Sequence, residues 1–119
     1  MNQRCTIYRT AEFIGKRWTL LILLELHKRN NSWKRYNQIK KCVFGITPKM
    51  LSSRLKELNE EGLIKKRVNE NFVPVTSEYS LTKGGEEFID VIKNMKKWSL
   101  KWKFRNKNCV NTDCNDCEF

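Results

Sequence analysis

The segment from Thr47 to Gly62 has the end signals of an α-helix at both of its ends, and it constrains the fold more than any other part of the sequence. Thr47 is a good N-cap residue, and Pro48 stands at the first helical position, where proline is best tolerated. Gly62 stands where helices commonly end in a left-handed residue. Gly45 separates this helix from a shorter helical pattern over residues 36–42. Together the two segments predict a helix-turn-helix motif.

The other segments predict three more helices and a β-hairpin. Apolar spacing predicts helices over residues 5–14 and 17–29, and the second is so apolar that we expect it to be the central core helix. The same spacing predicts a long last helix that begins after Thr82. Residues 63–68 and 77–81 are typical of strands and flank a turn. The predicted fold is mainly α with a small β-hairpin wing, a winged helix-turn-helix.

The charge of the chain indicates a polyanionic partner. The 119 residues include 24 Lys and Arg against 13 Asp and Glu, for a formal charge of +11. This balance favours nucleic acid first and an anionic membrane surface second, while a solubilising surface is the alternative.

The length fits one DNA-binding and dimerisation domain over residues 1–105, followed by a polar, cysteine-rich tail over 106–119. Neither a membrane span nor a secretory signal is visible, so we expect a cytoplasmic protein.

The outward face of the doubly capped helix is the first candidate site. On a helical wheel, Leu51, Leu55 and Leu58 face the core, and the opposite side carries cations and short hydroxyls. An α-helix fits the major groove of B-DNA, where such side chains contact base edges and phosphates. An ordinary solvated face is the alternative, but the preceding turn and the basic strand that follows favour DNA. The candidate DNA-binding residues are Lys34, Arg35, Thr47, Lys49, Ser52, Ser53, Arg54, Lys56, Lys65, Lys66 and Arg67.

Three tail cysteines, Cys109, Cys114 and Cys117, have the spacing of the first three ligands in a plant-type iron–sulfur pattern. A fourth ligand is missing nearby, and Cys5 or Cys42 would have to supply it. Neighbouring carboxylates suit the binding of a cation. A metal ion or iron–sulfur cluster is therefore one interpretation of the tail, and a thiol redox pair or a disordered tail with incidental thiols are the others.

Enzymatic motifs are missing from the sequence. It contains no phosphate-binding glycine loop, no paired catalytic carboxylates and no nucleophile motif, so we expect no enzyme. The leading interpretation is a sequence-specific DNA-binding regulator, and the second is a redox- or metal-responsive version of such a regulator. The alternatives are a small thiol-redox or iron–sulfur carrier and a non-specific architectural DNA binder.

Four segments, taken in order, resemble the HxlR family of winged-helix transcriptional regulators. They are residues 15–23 (GKRWTLLIL), 46–58 (ITPKMLSSRLKEL), 60–64 (EEGLI) and 78–85 (EYSLTKGG). The resemblance implies a homodimer that binds double-stranded operator DNA and regulates transcription. It also implies that the first and last helices form the dimer interface.

The resemblance also places Cys5 where many members of the family have a cysteine, near the start of the first helix. It implies a sensor of oxidants or electrophiles, as in some members. The helix N-terminus and the cations of Arg4 and Arg9 favour the reactive thiolate, while a packing role in the dimer interface is the alternative. Thr6 follows Cys5 here, whereas the family often has proline at that position.

We expect the dimer to form through apolar residues of the first and last helices, because a domain this small leaves its last apolar helix without enough internal partners. The candidate interface residues are Ile7, Ile14, Phe88, Ile92, Met95 and Trp98.

Overall fold

The computed structural model describes residues 2–118, and its order of elements confirms the predicted winged helix-turn-helix. The elements are α1 (Thr6–Ile14), α2 (Thr19–Asn31), β1 (Lys34–Arg35), α3 (Tyr36–Cys42), α4 (Pro48–Glu60), β2 (Ile64–Asn69), β3 (Thr76–Leu81), α5 (Lys83–Trp102), α6 (Lys107–Asn111) and a 3₁₀ turn (Cys114–Asp116). Helices α3 and α4 form the helix-turn-helix, and the β2–β3 hairpin forms the wing. No helix within residues 2–118 combines the length and the apolar character that a membrane crossing requires.

Both predicted ends of α4 are present. The hydroxyl of Thr47 accepts the backbone N–H of the third helical residue at 3.2 Å. At the other end, Gly62 adopts a left-handed φ of +82°. The N–H of Gly62 donates to the carbonyl of Asn59 at 3.2 Å, and that of Leu63 donates to the carbonyl of Leu58 at 3.0 Å. This pair of bonds is a Schellman motif, so α4 ends at a fixed point and the chain turns directly into β2.

The hydrophobic core lies between the helices and the sheet, with α2 at its centre as predicted. One side of α2 differs from the prediction, because Leu21 is exposed and Leu20 and Leu24 are only half-buried. The apolar surface of α2 is therefore not fully covered within one protomer. The fully buried core residues are Ile22, Leu23, Leu26, Ile39, Leu51, Leu55, Leu58, Ile64, Leu81 and Ile89.

The sheet is antiparallel, with β3 between β1 and β2. In the hairpin, Ile64 lies opposite Leu81 and Asn69 lies opposite Thr76, which leaves residues 70–75 as the loop at the tip of the wing. The sequence did not indicate β1, because a strand of two residues is too short to show a period. The pairing of β1 with β3 attaches the start of α3 to the wing.

One predicted DNA contact, Lys34, is not available to DNA, because only 4% of this residue is exposed. Its ammonium donates to the backbone carbonyls of Leu26 at 3.0 Å, of Lys28, and of Ser32 at 3.3 Å. Burial lowers the pKa of Lys34, and the nearby carboxylate of Glu25 opposes that effect. The side chain thus satisfies the carbonyls at the end of α2, and the prediction that it clamps a DNA phosphate is wrong.

The tail shows more order than its sequence indicated. Residues 107–111 form α6, and the following 3₁₀ turn places Cys114 in a buried position. The ammonium of Lys96 on α5 donates to the carbonyl of Thr112 at 2.7 Å. The tail therefore packs on the body of the protein as a folded segment.

We predict that Gly85 cannot be replaced by alanine without a large loss of stability. A Cβ at this position would lie 2.1 Å from the carbonyl oxygen of Leu63, which also accepts the N–H of Thr82 at 3.0 Å. Gly85→Ala should lower the free energy of unfolding by about 1–3 kcal/mol, as overpacking does. Chemical denaturation measures this change.

The neighbouring Gly84 provides the matched control. A Cβ there would find its nearest neighbours at 3.8 Å, an ordinary contact distance. Gly84→Ala should keep or raise the stability, because alanine favours a helix over glycine by up to about 1 kcal/mol. Equal stability of the two variants would contradict the close contact at Gly85.

Candidate nucleic-acid interface

The outward face of α4 is exposed, as its sequence pattern predicted. Lys49, Ser52, Ser53 and Lys56 are all exposed, while the leucines of the opposite face are buried. At the N-terminal end of α4, the Thr47 cap and Pro48 start the helix at a defined residue. The face therefore presents two cations and two hydroxyls on a rigid helix whose width suits the major groove.

Tyr36 connects the two helices of the motif. The hydroxyl of Tyr36 donates to the carbonyl of Pro48 at 3.0 Å and lies 3.2 Å from Oγ of Ser52. Tyr36 is the first residue of α3, so this contact fixes the start of α3 against the first turns of α4. No local pattern could have revealed it, because it depends on the angle between the two helices.

Arg54 has an internal role in addition to its position on α4. It is half-buried, and its Nε donates to the backbone carbonyl of Arg17 at 3.0 Å. In the same region, the ammonium of Lys16 forms an ion pair with Glu57 of α4. Both contacts attach α4 to the loop between α1 and α2, so Arg54 acts as a positioning residue in this structure.

The predicted cations of the wing strand differ in their surroundings. Lys65, Lys66 and Arg67 are all exposed, but the guanidinium of Arg67 stacks 4.2 Å from the ring centroid of Trp33 and pairs with Glu78 at 3.4 Å. The hydrogen bond from Arg67 holds the pKa of Glu78 below its ordinary value. Since the charge of Arg67 is balanced by a carboxylate, the two lysines carry the net positive charge of β2.

A cleft of about 560 Å³ separates the helix-turn-helix from the wing. Arg35, the second cation of β1, lies at this cleft and stacks its guanidinium 4.3 Å from the ring centroid of Phe72 in the wing loop. Gln38, Lys41 and Ser52 also line the cleft. Lys41 was not among the predicted DNA-binding residues, although it stands on the same side as Arg35.

The tail cysteines do not form the predicted metal site. Among residues 2–118, no three His, Cys, Asp or Glu side chains are grouped so that they could hold a metal ion. Cys109 lies in α6 and is half-buried, whereas Cys114 is buried in the 3₁₀ turn and Cys117 follows that turn. The three cysteines therefore lie in α6, in the 3₁₀ turn and after that turn. The structure does not support the metal or iron–sulfur interpretation of these three residues.

The residues predicted for a dimer interface differ in their exposure. Ile7, Met95 and Trp98 are exposed, Trp98 to 56%. Ile14 and Phe88 are half-buried and pack against the core. Ile92 is wrong as an interface residue, because it is 7% exposed and belongs to the core of the protomer. Other exposed apolar residues are Leu21 on α2, Val91 and Trp102 on α5, and Phe104 just after α5.

Cys5 occupies the N-cap position of α1. The residue is half-buried, and its side chain makes no capping hydrogen bond. Exposed Arg4 and Arg9 lie close to it in the chain, and the backbone N–H of Arg9 donates to the carbonyl of Cys5 at 3.1 Å. The sulfur therefore lies at the positive end of a short helix, as predicted.

Comparison with known proteins gives a consistent result. The family model of HxlR-like helix-turn-helix proteins matches residues 13–107. YdeP of Bacillus subtilis (strain 168), an uncharacterized HTH-type transcriptional regulator, is 37% identical over 101 residues, which are 85% of this chain and 76% of YdeP.

Two solved structures are similar in fold. The reduced form of the transcriptional regulator YodB from B. subtilis has a TM-score of 0.71 at 30% identity, over 87% of this chain and 98% of YodB. The redox regulator HypR in its oxidized form has a TM-score of 0.71 at 28% identity, over 84% of this chain and 99% of HypR.

We predict that Lys56 and Lys49 contribute directly to the binding of specific DNA. Genomic fragments selected by the purified protein supply the target, and competition with random DNA at fixed salt concentration measures specificity. Lys56→Ala and Lys49→Ala should each weaken binding by about 1–3 kcal/mol, as the loss of a base contact does.

Lys83→Ala is the matched control, because Lys83 is an exposed lysine at the start of α5. Its affinity for the selected fragments should stay close to that of the wild type. Unchanged affinity in both α4 variants would refute the assignment of the outward face.

Proposed function

The chain belongs to the HxlR-like helix-turn-helix family of transcriptional regulators, and we propose that it acts as a homodimer on double-stranded operator DNA. The observation that supports this function most directly is the exposed face of α4, with Lys49, Ser52, Ser53 and Lys56. Phosphate contacts fix the register of such a helix on the duplex, and base contacts provide its sequence preference. Arg35, Lys65 and Lys66 are the proposed phosphate contacts on either side of the helix.

The charge of the whole chain agrees with this proposal. A formal charge of +11 attracts DNA from a distance, and each neutralised phosphate releases condensed counterions. Binding should therefore weaken steeply as the salt concentration rises. Sequence preference is a separate quantity, and it depends on the groups of α4 that reach the bases.

The proposed dimer interface consists of α1 and the second half of α5. Trp98 and Trp102 lie one turn apart on α5, and Met95 lies one turn before Trp98, so their exposed side chains follow one side of the helix. Ile7 presents a further exposed apolar side chain on α1. An apolar surface of this kind marks an interaction site on a small protein. A two-fold dimer would present its two α4 helices to half-sites about 34 Å apart, or a multiple of that distance.

We expect a double substitution on α5, Met95→Glu with Trp98→Glu, to prevent dimerisation. Two carboxylates cannot be buried at an apolar interface without a large desolvation cost. Sedimentation should show a dimer for the wild type at micromolar concentration and a monomer for the variant. Affinity for the selected DNA fragments should fall with the loss of the second half-site.

Val73→Glu is the control for the dimer experiment, since Val73 lies in the wing loop and is 99% exposed. It adds a carboxylate to an exposed apolar position outside α1 and α5, so the dimer should persist. A wild-type protein that sediments as a monomer with and without DNA would overturn the dimer proposal.

We also propose that Cys5 makes DNA binding responsive to oxidants. The similarity to the redox regulator HypR supports this role, as does the position of the sulfur at the N-terminus of α1. Oxidation of Cys5 would change the packing of α1 against the partner protomer. The segment after α1 holds α4 through the Lys16–Glu57 ion pair and the bond from Arg54 to Arg17, so a shift of α1 would also change the setting of α4.

Cys5→Ser should bind the selected DNA with the affinity of the reduced wild type. Treatment with diamide should leave this affinity unchanged. The serine hydroxyl keeps the size and N-cap preference of the position but cannot be oxidised in this way. Operator binding before and after diamide measures the effect, with Cys109→Ser as a control that should respond like the wild type. If diamide alters wild-type and Cys5→Ser binding equally, Cys5 is a packing residue.

A further inference from the structure

The last residues of α2 have an unusual backbone that the tail helps to stabilise. Arg29, Asn30 and Asn31 adopt left-handed φ values of 58°, 59° and 58°. This conformation costs roughly 1–2 kcal/mol per residue in an L-chain, although asparagine tolerates it well. The amide of Asn115 accepts the backbone N–H of Asn30 at 2.9 Å and donates to the Asn30 side-chain oxygen at 3.0 Å.

The opposite side of the tail is attached to α5. The ammonium of Lys96 donates to the carbonyl of Thr112, and Lys93 pairs with Asp113 at 3.5 Å. Cys114 is buried between these two attachments. The family match ends at residue 107, so this folded segment lies outside the part of the chain that the family model covers.

A cavity of about 720 Å³ lies between the C-terminal part of α2, the C-terminal end of α3 and the last residues of the tail. Two cysteines line it from opposite elements: Cys42 ends α3, and Cys117 follows the 3₁₀ turn. Both are free thiols, with Cys42 exposed and Cys117 half-buried. The charged side chains that line the same cavity are Glu25, Lys28, Arg29, Lys41, Asp116 and Glu118.

We propose that Cys42 and Cys117 form an intramolecular disulfide under oxidising conditions, and that this bond fastens the tail to the first helix of the helix-turn-helix. The two thiols each lose a proton, a bond forms between the sulfurs, and two electrons pass to a thiol oxidant such as diamide, which is reduced to the hydrazine. Both cysteines border the same cavity, so the bond would form across it.

The surroundings of Cys42 keep its thiol protonated. Burial and the carboxylate of Glu25 raise the pKa of Cys42, so the neutral thiol predominates near neutral pH. Once formed, the disulfide would connect α3 to α5 through the tail, since Lys93 and Lys96 hold the tail on α5. It would also close a long loop from residue 42 to residue 117, which restricts the unfolded chain.

This proposal is independent of Cys5, and Cys5→Ser is therefore the background for its test. The full-length Cys5→Ser protein is treated with diamide, the remaining thiols are alkylated, and peptides are mapped without reduction. We expect one cross-linked peptide pair that contains Cys42 and Cys117, in a chain that stays monomeric on a denaturing, non-reducing gel. The oxidised protein should have a higher Tm than its reduced form.

Three additional substitutions in the same background make the test specific. Cys42→Ser and Cys117→Ser should each remove both the cross-link and the rise in Tm. Cys109→Ser should keep both, because Cys109 lies in α6 and does not line the cavity. The proposal is overturned if Cys42 stays fully open to alkylation after diamide, or if Cys117 pairs with Cys109 or Cys114 instead.

Discussion

The contacts of the buried Lys34 ammonium are the interactions on which the arrangement of the helix-turn-helix and the wing depends. It binds the carbonyls at the end of the central core helix, where the chain leaves helical geometry and reverses through three left-handed residues. The backbone of the same residue pairs with Tyr79 in the sheet, and α3 begins two residues later. One cation therefore joins the core helix, the sheet and the helix-turn-helix. An unpaired cation at this depth would be costly, so its carbonyl partners also fix where the preceding turn must lie.

The features that the sequence predicted well are those set by neighbouring residues. The cap at Thr47, the left-handed Gly62 and the leucine face of α4 all follow from local spacing, and the structure contains each of them. Lys34 was assigned to DNA because its burial depends on a turn and a strand that local patterns do not reveal. Ile92 was assigned to the dimer for a related reason, since α5 points one apolar side toward the core and another toward solvent.

The basic residues of the chain fall into those that hold the fold together and those that face the solvent. Arg54 donates to a backbone carbonyl, and Arg67 pairs with Glu78 against the ring of Trp33. These two cations organise α4 and the wing, while Lys49, Lys56, Lys65 and Lys66 remain exposed. A net charge can identify a polyanionic partner. It cannot distinguish cations that hold the protein together from those that face the solvent, because that distinction arises only on folding.

The junction between α4 and α5 has a mechanical consequence. Thr82, the cap of α5, donates its hydroxyl to the carbonyl of Gly62 at 2.6 Å and its N–H to the carbonyl of Leu63 at 3.0 Å, and Gly85 lies directly against Leu63. The end of one helix is thus fastened to the beginning of the other with no slack between them. Because the two helices meet at these fixed contacts, a rotation of α5 about this junction would be passed on to α4, and the displacement would be greatest at the N-terminal end of α4.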